Sequence, residues 1–369
     1  MTDDAPATAN AADPFVLTTS RGFTRWLAGI GGSLAFTTYQ AGKVFMLGLR
    51  PDGRLSVHER TFPRAMGLGV GTDGGLLLAT EYQIWQFDDV MIHGRPAPNE
   101  DRPDALYAPH RTWVTGDVDV HDIGFGVDGE PLFVATLLNC IATVSDGFSL
   151  KPIWQPPFVS RIAPEDRCHL NGMAMAGGRA RYATAVSRSD VSDGWRDRRT
   201  DGGVVIDVDT NVVVAEGLSM PHSPRLARGA DGSERLWLLE SGAGWLGSVD
   251  LQTGAFERLA FCPGYARGLA LVGPPNGAPT HAVVGLSLAR ENRTFQGLPL
   301  DDALAERDAD ARCGLLVVDL STGSAVEWVR IEGVVRELFD VAVLSGVRRP
   351  TLIGTKGNEI RTVIAIDQG

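Results

Sequence analysis

One unit of sequence recurs along almost the whole of this 369-residue chain. In each copy a polar residue precedes a short strand rich in Gly and Ala, and two further strands follow, each after a turn. The segments predicted as first strands are WLAGIG (26–31), MGLGV (66–70), IGFGV (123–127), NGMAM (171–175), RLAR (225–228), RGLALV (267–272) and DVAVL (340–344). Units of about 50 residues with several short strands are typical of β-propeller blades.

The repeat predicts an all-β fold, a single β-propeller of four-stranded antiparallel blades. Small residues suit first strands, which crowd around the axis, and outer strands such as LSVHER (55–60) alternate polar and apolar residues. Seven units predict seven blades, with six as the alternative if the first unit is irregular. FVLTTS (15–20) is predicted to supply the outer strand that the last unit lacks and so to close the ring. The propeller would span 13–369, after a disordered tail at 1–12.

Charge and cysteine usage limit the partners and the compartment. A formal net charge of −11 argues against nucleic acid and against an anionic membrane surface. The first twelve residues have no signal-peptide pattern, and no apolar run reaches the ~20 residues of a membrane span. Four scattered cysteines without a CxxC pair indicate a reduced, cytoplasmic protein. The preference for Arg over Lys is typical of a GC-rich bacterial genome.

Aligning the first strands places a polar residue three positions before a shared, mostly small residue in every unit. These residues are Arg25, Arg64, His121, His169, His222, Tyr265 and Glu337. Three of the chain's seven histidines share this position in consecutive units, and packing offers no reason for that. Because the first strands of a propeller all begin on the same face, we expect these side chains to surround one mouth of the central channel.

Three imidazoles from adjacent blades predict a metal site. Neutral His121, His169 and His222 could hold Zn²⁺, Fe²⁺ or Cu²⁺ with open positions for water or substrate. We expect the three rings to lie within about 5 Å of one point. Glu337 or Asp122 would assist as ligand or general base, and Tyr265 as a donor of a proton or hydrogen bond. The alternative is a solvated channel mouth whose polar residues bind water and backbone.

Other polar residues predict how a substrate is held. Arg64, Arg225 and Arg267 favour an anionic ligand, because guanidinium groups bind carboxylate or phosphate in a bidentate fork. Asn171 and Glu240 are also predicted to contact the substrate. With Glu337 and Asp340, these two form an oxygen-ligand set that would suit Ca²⁺ or Mg²⁺ instead. Two insertions, 187–203 and 290–313, are predicted to overhang the ring, the second with a short helix in LDDALAERDADA (300–311).

The motifs TTYQAGKVFMLGL, CHLNGMA, SMPHSPRL, WLLESGAG and CPGYARGLA resemble those of a bacterial family of conserved hypothetical proteins of unassigned function, across nearly the whole chain. The blade pattern is more distantly similar to the gluconolactonase and strictosidine-synthase-like propellers. In the lactonase group a divalent cation at the axis is held by Glu, Asn and Asp. That resemblance implies Asn171, with Glu337 and Asp340 as possible counterparts. The three ring histidines are not part of its pattern. Iron-binding histidines at the axis of carotenoid-cleaving oxygenases are similar in architecture only.

Together these observations predict a metal-dependent enzyme acting on a small anionic molecule at the propeller axis. Hydrolase or lyase chemistry is slightly favoured over oxygenase chemistry, because the sequence contains no organic-cofactor motif. The alternative is a non-catalytic propeller that binds a ligand or a protein partner on the same face.

Overall fold

The computed structural model describes residues 15–91, 102–229, 231–274, 277–288 and 296–366, and the predicted tail at 1–12 lies outside them. Its strands form six sheets, each containing the four antiparallel strands of one β-propeller blade. Blade 1 combines both ends of the chain: Val341–Ser345 is its inner strand, followed outward by Gly32–Thr38, Lys43–Leu49 and Leu55–Thr61.

The other five blades each use consecutive segments, which run in chain order from the inner strand outward. Blade 2 contains Leu68–Val70, Leu76–Ala79, Gln83–Asp89 and Ala105–Val114. Blade 3 contains Val120–Phe125, Pro131–Ala135, Cys140–Thr143 and Lys151–Trp154. Blade 4 contains Leu170–Ala176, Arg179–Ala185, Gly203–Asp207 and Val213–Leu218. Blade 5 contains Pro221–Arg228, Glu234–Glu240, Trp245–Val249 and Phe256–Phe261. Blade 6 contains Tyr265–Val272, His281–Ser287, Gly314–Asp319 and Ala325–Glu332.

Short helices and two edge strands complete the described structure. The helices are α1 (Phe23–Gly29), α2 (Pro299–Glu306) and α3 (Glu359–Thr362), with 3₁₀ turns at Thr136–Leu138 and Arg196–Arg198. Val16–Thr19 is a fifth strand at the outer edge of blade 6, and Pro350–Leu352 pairs in parallel with the outer strand of blade 2. Helix α2 confirms the helix predicted in the second insertion.

The prediction of seven blades is wrong, and six, its alternative, is the count in the structure. WLAGIG lies mostly in helix α1, where Phe23 and Leu27, one turn apart, are both fully buried against blade 1. The seventh predicted first strand supplies the inner position of blade 1 by pairing with Gly32–Thr38. Two partial units therefore form one blade. The N-terminal strand Val16–Thr19 adds to blade 6 rather than completing the last unit.

The six inner strands contact one another in a closed cycle around the axis. At four of the six junctions a hydroxyl at the end of one blade's second strand donates to a carbonyl at the start of the next blade. These bonds are Thr37 to Met66, Thr136 to Leu170, Ser241 to Ala266 and Ser287 to Leu338, at 2.5–3.1 Å. They fix the position along the propeller axis at which each of those inner strands begins. The polar residues that precede the inner strands, called the polar ring, lie at this level.

The hydrophobic core lies between the blades. One cluster, for example, joins Val134 and Ile141 of blade 3 to Met173 and Ala183 of blade 4. All four cysteines are buried free thiols, as their scattered positions predicted. Within the described part of the chain, no helix has the length and apolar character needed to cross a bilayer.

Candidate functional site

Three histidines meet near the propeller axis. His121 and His222 are the second residues of the inner strands of blades 3 and 5, and His169 immediately precedes that of blade 4. One ring nitrogen from each lies within 4.8 Å of the others, and all three side chains are buried. This spacing agrees with the expected convergence. Among the described residues they are the one group of three or more His, Cys, Asp or Glu side chains placed to share an ion.

Each of the three imidazoles is oriented by an oxygen acceptor at Nδ1. His121 Nδ1 lies 3.1 Å from the carbonyl oxygen of Asp119 and 2.9 Å from the Thr136 hydroxyl, which gives its own proton to the Leu170 carbonyl and so accepts here. His222 Nδ1 lies 2.9 Å from the carbonyl oxygen of Met220. His169 Nδ1 lies 3.0 Å from the carboxylate of Asp166. Carbonyl and carboxylate oxygens only accept, so Nδ1 carries the proton in each ring and Nε2 keeps its lone pair. The same tautomer in all three rings is the one in which Nε2 can bind a metal.

The turns before these strands explain how the acceptors reach the rings. Asp119, Asp166 and Met220 have left-handed backbone conformations, with φ of 54°, 41° and 46°. That conformation reverses the chain two or three residues before each histidine and returns an oxygen to its ring. Asp adopts the left-handed conformation more readily than most residues do, whereas Met adopts it rarely. A hydrogen bond stabilises the turn at Met220, because the Glu240 carboxylate accepts the backbone N–H of the preceding residue, Ser219, at 3.2 Å.

Arg267 reaches the histidine cluster from blade 6. Its Nη2 donates to Nε2 of His121 at 2.9 Å, its Nη1 lies 3.7 Å from Glu337, and its guanidinium lies over the ring of Phe339. Burial, followed by the positive charge of Arg267, holds the pKa of His121 and of His222 well below the usual value. Both rings are therefore neutral at neutral pH, as metal ligands must be.

Asn171 and Tyr265 contact His222. The side-chain amide of Asn171 donates to Nε2 of His222 at 3.2 Å and accepts from the hydroxyl of Thr184 at 2.8 Å. Tyr265 meets the ring of His222 edge to face at 5.9 Å, and its hydroxyl lies 3.8 Å from the sulfur of Met220. The structure thus brings both predicted residues to the histidine cluster.

Asp122, Arg225 and Asp340 form a separate ion cluster one layer below. Arg225 contacts Asp122 at 2.9 Å and Asp340 at 3.5 Å. Asp122 also accepts the backbone N–H of Met173, and Asp340 that of Leu68, so each carboxylate bridges two blades. Burial raises the pKa of Asp340 to about 7. Although Asp122 follows His121, side chains alternate along a strand, and this one faces the ion cluster instead.

The channel below this ion cluster is wide. A cavity of about 690 Å³ is lined by the later residues of the inner strands, together with Asp122 and Arg225. The histidines are not among its lining residues. Asp122, Arg225 and Asp340 therefore separate the open end of the channel from the histidine end.

Arg64 and Glu240 lie away from the three rings. Arg64 forms an ion pair with Asp117 and stands over the ring of Tyr39. Glu240 accepts from Arg258 at 2.8 Å in addition to the backbone of Ser219. Among the described residues, Glu240, Glu337 and Asp340 do not form a second group able to share an ion. Arg25, the first member of the aligned ring, lies in helix α1, so the ring has six residues for six blades.

Side chains from the two insertions pack over the histidine cluster, and the sequence did not predict which residues they are. Trp195, from the insertion at 187–203, stacks on His169 with ring centroids 4.2 Å apart and donates to Asp166 at 2.8 Å. It packs with Met220, Tyr265 and Leu300, the last from helix α2 of the other insertion. The described parts of both insertions thus contribute side chains that pack over the histidine cluster, as predicted from their place in the repeat. Asp166 stands three residues before His169, a spacing that could have identified it.

Comparisons with known proteins agree with the fold. The family described as "Domain of unknown function (DUF4915)" matches residues 21–353. A search of curated proteins finds no significant match. A chain in the crystal structure of a nidogen/laminin complex is similar at 12% identity and a TM-score of 0.50, covering 85% of this chain and 98% of that one. At that identity the likeness shows the fold alone.

Two further solved structures give lower scores. A protein of unknown function from Bacteroides caccae has 11% identity and a TM-score of 0.47, covering 85% of this chain and 98% of its own. Virginiamycin B lyase from Staphylococcus aureus has 10% identity and a TM-score of 0.38, covering 86% and 99%. These scores are too low to carry an argument about the site.

Proposed function

This chain belongs to the DUF4915 family, and from the geometry of its own site we propose that it is a metal-dependent enzyme acting on a small anionic molecule. The observation that carries the proposal is the shared tautomer of three converging imidazoles. His121, His169 and His222 each have Nδ1 bound to an oxygen acceptor, within a group whose ligand atoms lie within 4.8 Å.

Zn²⁺ or Fe²⁺ fits this donor set best. Three neutral imidazoles suit a borderline metal, whereas Ca²⁺ and Mg²⁺ prefer oxygen ligands. Three protein ligands also leave a position for water or substrate, as in catalytic zinc sites. The fixed Nδ1 partners are the second set of contacts that metal-binding histidines usually make. A metal in this position would polarise a substrate oxygen or lower the pKa of bound water.

Arg267 and Glu337 would act on the substrate. Arg267 donates to His121 Nε2, so metal binding at that atom requires its guanidinium to turn away, and the Glu337 carboxylate, 3.7 Å from its Nη1, is close enough to pair with it. An anionic substrate would then take the hydrogen bond that Arg267 gives to His121. Glu337 is suited to receive a proton and Tyr265 to donate one, and these two roles favour hydrolytic or lyase chemistry.

The test is elemental analysis of the full chain after purification and after reconstitution with Zn²⁺ or Fe²⁺. We expect about one metal ion per chain, lost in H121A/H169A/H222A. The matched control is H110A/H281A, which removes histidines outside the cluster. If the triple variant fails to fold by circular dichroism, His169→Gln alone is used. Absence of metal from the reconstituted protein, or equal loss in the control, would refute the proposal.

A non-catalytic propeller is the second candidate, and one observation favours it. Nε2 of His121 and of His222 already accept hydrogen bonds from Arg267 and Asn171, so two of the three rings are satisfied by protein groups alone. This candidate predicts that the chain binds no stoichiometric metal. It also predicts that replacing any one of the three histidines leaves ligand binding intact.

A further inference from the structure

A second cavity lies at the opposite end of the propeller from the histidines. Its volume is about 550 Å³, and it is bounded by helix α1, by the turn after Lys43–Leu49 and by segments 102–104 and 348–349. The third strand of a blade runs in the same direction as its inner strand, so Leu49 and Ser345 end on the same face. The ring residues lie where the inner strands begin. This cavity is therefore independent of the proposed metal site.

Arginines dominate the lining of this cavity. They are Arg25, Arg50, Arg102, Arg348 and Arg349, and among the described lining residues Asp104 is the one acidic residue. The described lining therefore carries five positive charges and one negative charge, in a chain whose net charge is −11. Such a concentration against the overall charge creates a strong local positive potential.

The backbone that carries these arginines is fixed by hydrogen bonds. Both carboxylate oxygens of Asp104 accept backbone N–H groups, from Arg348 at 2.8 Å and from Arg349 at 2.7 Å. The carbonyl of Arg348 accepts from Leu49 at 2.6 Å, and Arg50 closes its turn by bonding Arg54 at 2.8 Å. Asp104 thus anchors the 348–349 segment beside the 50–54 turn. The arginine side chains are long, but the backbone of the 50–54 turn and of the 348–349 segment is held in place by these hydrogen bonds.

Arg25, Arg50, Arg102 and Arg348 form no salt bridge with any other described residue. Their side chains are exposed at the rim of the cavity. A cavity of this volume is within the range that binds small molecules. Guanidinium groups arriving from several directions match a ligand with several anionic groups, each bound through a fork of two donors.

We propose that this cavity binds a small polyanion carrying several phosphate or carboxylate groups. The site is formed by helix α1, the 50–54 turn and the 348–349 segment. It would hold the ligand at the face where the wide channel opens. The proposal does not depend on the function of the histidine cluster.

Isothermal titration calorimetry of the full chain with inorganic tripolyphosphate and with citrate tests this site. We expect saturable binding of at least one probe, and the tighter one identifies phosphate or carboxylate as the preferred group. In R50A/R348A affinity should fall about 100-fold, because each lost charged hydrogen bond is expected to weaken binding about tenfold or more. R50K/R348K keeps the charge but loses the forks and should bind with intermediate affinity.

The control is R179A/R228A, which removes two exposed arginines on other blades with the same change in net charge. Its affinity should match that of the wild type. The proposal is overturned if neither probe binds, or if the control weakens binding as much as R50A/R348A does. Equal melting temperatures of the variants exclude a folding defect as the cause of any loss.

Discussion

The two halves of the polar ring use one backbone position for different chemistry. In blades 3, 4 and 5 the position holds His121, His169 and His222, whose ring nitrogens converge. In blades 6, 1 and 2 it holds Tyr265, Glu337 and Arg64. The hydroxyl-to-carbonyl bonds between blades occur in both halves, since Thr136 makes one and Ser287 another. The scaffold is therefore regular, and the difference comes from the side chains and from what supports them.

That difference shows how a symmetric ring acquires one directed site. Metal-binding histidines usually donate their other ring N–H to an oxygen partner that orients the ring, and the first half supplies such a partner at Nδ1 in every blade. In the other half, Arg64 also pairs with a carboxylate, that of Asp117. A guanidinium group has no free lone pair, however, so Arg64 cannot bind a metal ion. Under the proposed function, Tyr265 and Glu337 of the second half would supply a proton donor and a proton acceptor to the centre held by the three histidines.

The largest expected effect compares the two supporting carboxylates. Asp166→Asn removes the charge that orients His169 and should weaken metal affinity about 10–100-fold, as loss of an outer-shell partner does. Asp117→Asn makes the same change beside Arg64 and should leave metal affinity unchanged. Competition with a chromogenic chelator measures both. Equal losses in the two variants would break the distinction between the halves.

The next effect concerns the ion cluster that ties the halves together. Asp340 of blade 1 and Asp122 of blade 3 share Arg225 of blade 5. Burial raises the pKa of Asp340 from 3.8 to about 7. Between these two pH values the folded state keeps the Asp340 proton, whereas the unfolded state has lost it. Stability from this group is fully present below about pH 4 and is lost as pH rises through about 7.

Asp340→Asn should remove that pH dependence. From about pH 6 to about pH 8 the wild type should lose unfolding free energy that the variant retains, equivalent to about a tenfold change in the folding equilibrium. Urea unfolding at both pH values measures the difference. Asp146→Asn, at an exposed turn, is the control and should follow the wild type. A parallel pH dependence in D340N and the wild type would mean that Asp340 is ionised throughout.

The sequence predicted the ring because the same residue spacing precedes each inner strand, and His121, His169 and His222 share it. It misled on blade number because the pairing of Val341–Ser345 with Gly32–Thr38 joins segments about 300 residues apart. No local pattern distinguishes an inner strand of a new blade from one that completes the first. WLAGIG had the right composition for a strand, but burial of Phe23 and Leu27 selected a helix.

The repeat also explains why only part of the site was predicted. Residues fixed by the repeat were found, whereas partners brought in by loops were not, such as Trp195 on His169. Arg267 was expected to bind a substrate, but its bond to His121 spans 146 residues and has no sequence signature. Asp122, which follows His121, was predicted to assist the metal as a ligand or general base. Strand alternation, a rule readable from the sequence, already directs it to the other side.

The smallest expected effect lies where the halves meet, at the bond from Arg267 to His121. Arg267→Met removes a donor and a positive charge from the lone pair that a metal needs. Metal affinity should therefore rise about fivefold, the equivalent of about 1 kcal/mol for a hydrogen bond. Arg267→Lys keeps the charge and should bind metal like the wild type. R267M/E337Q removes both charges of the 3.7 Å pair and should keep the gain, because the competition arises at His121. A decrease in the affinity of R267M would show that Arg267 supports the three rings instead of competing for one of them.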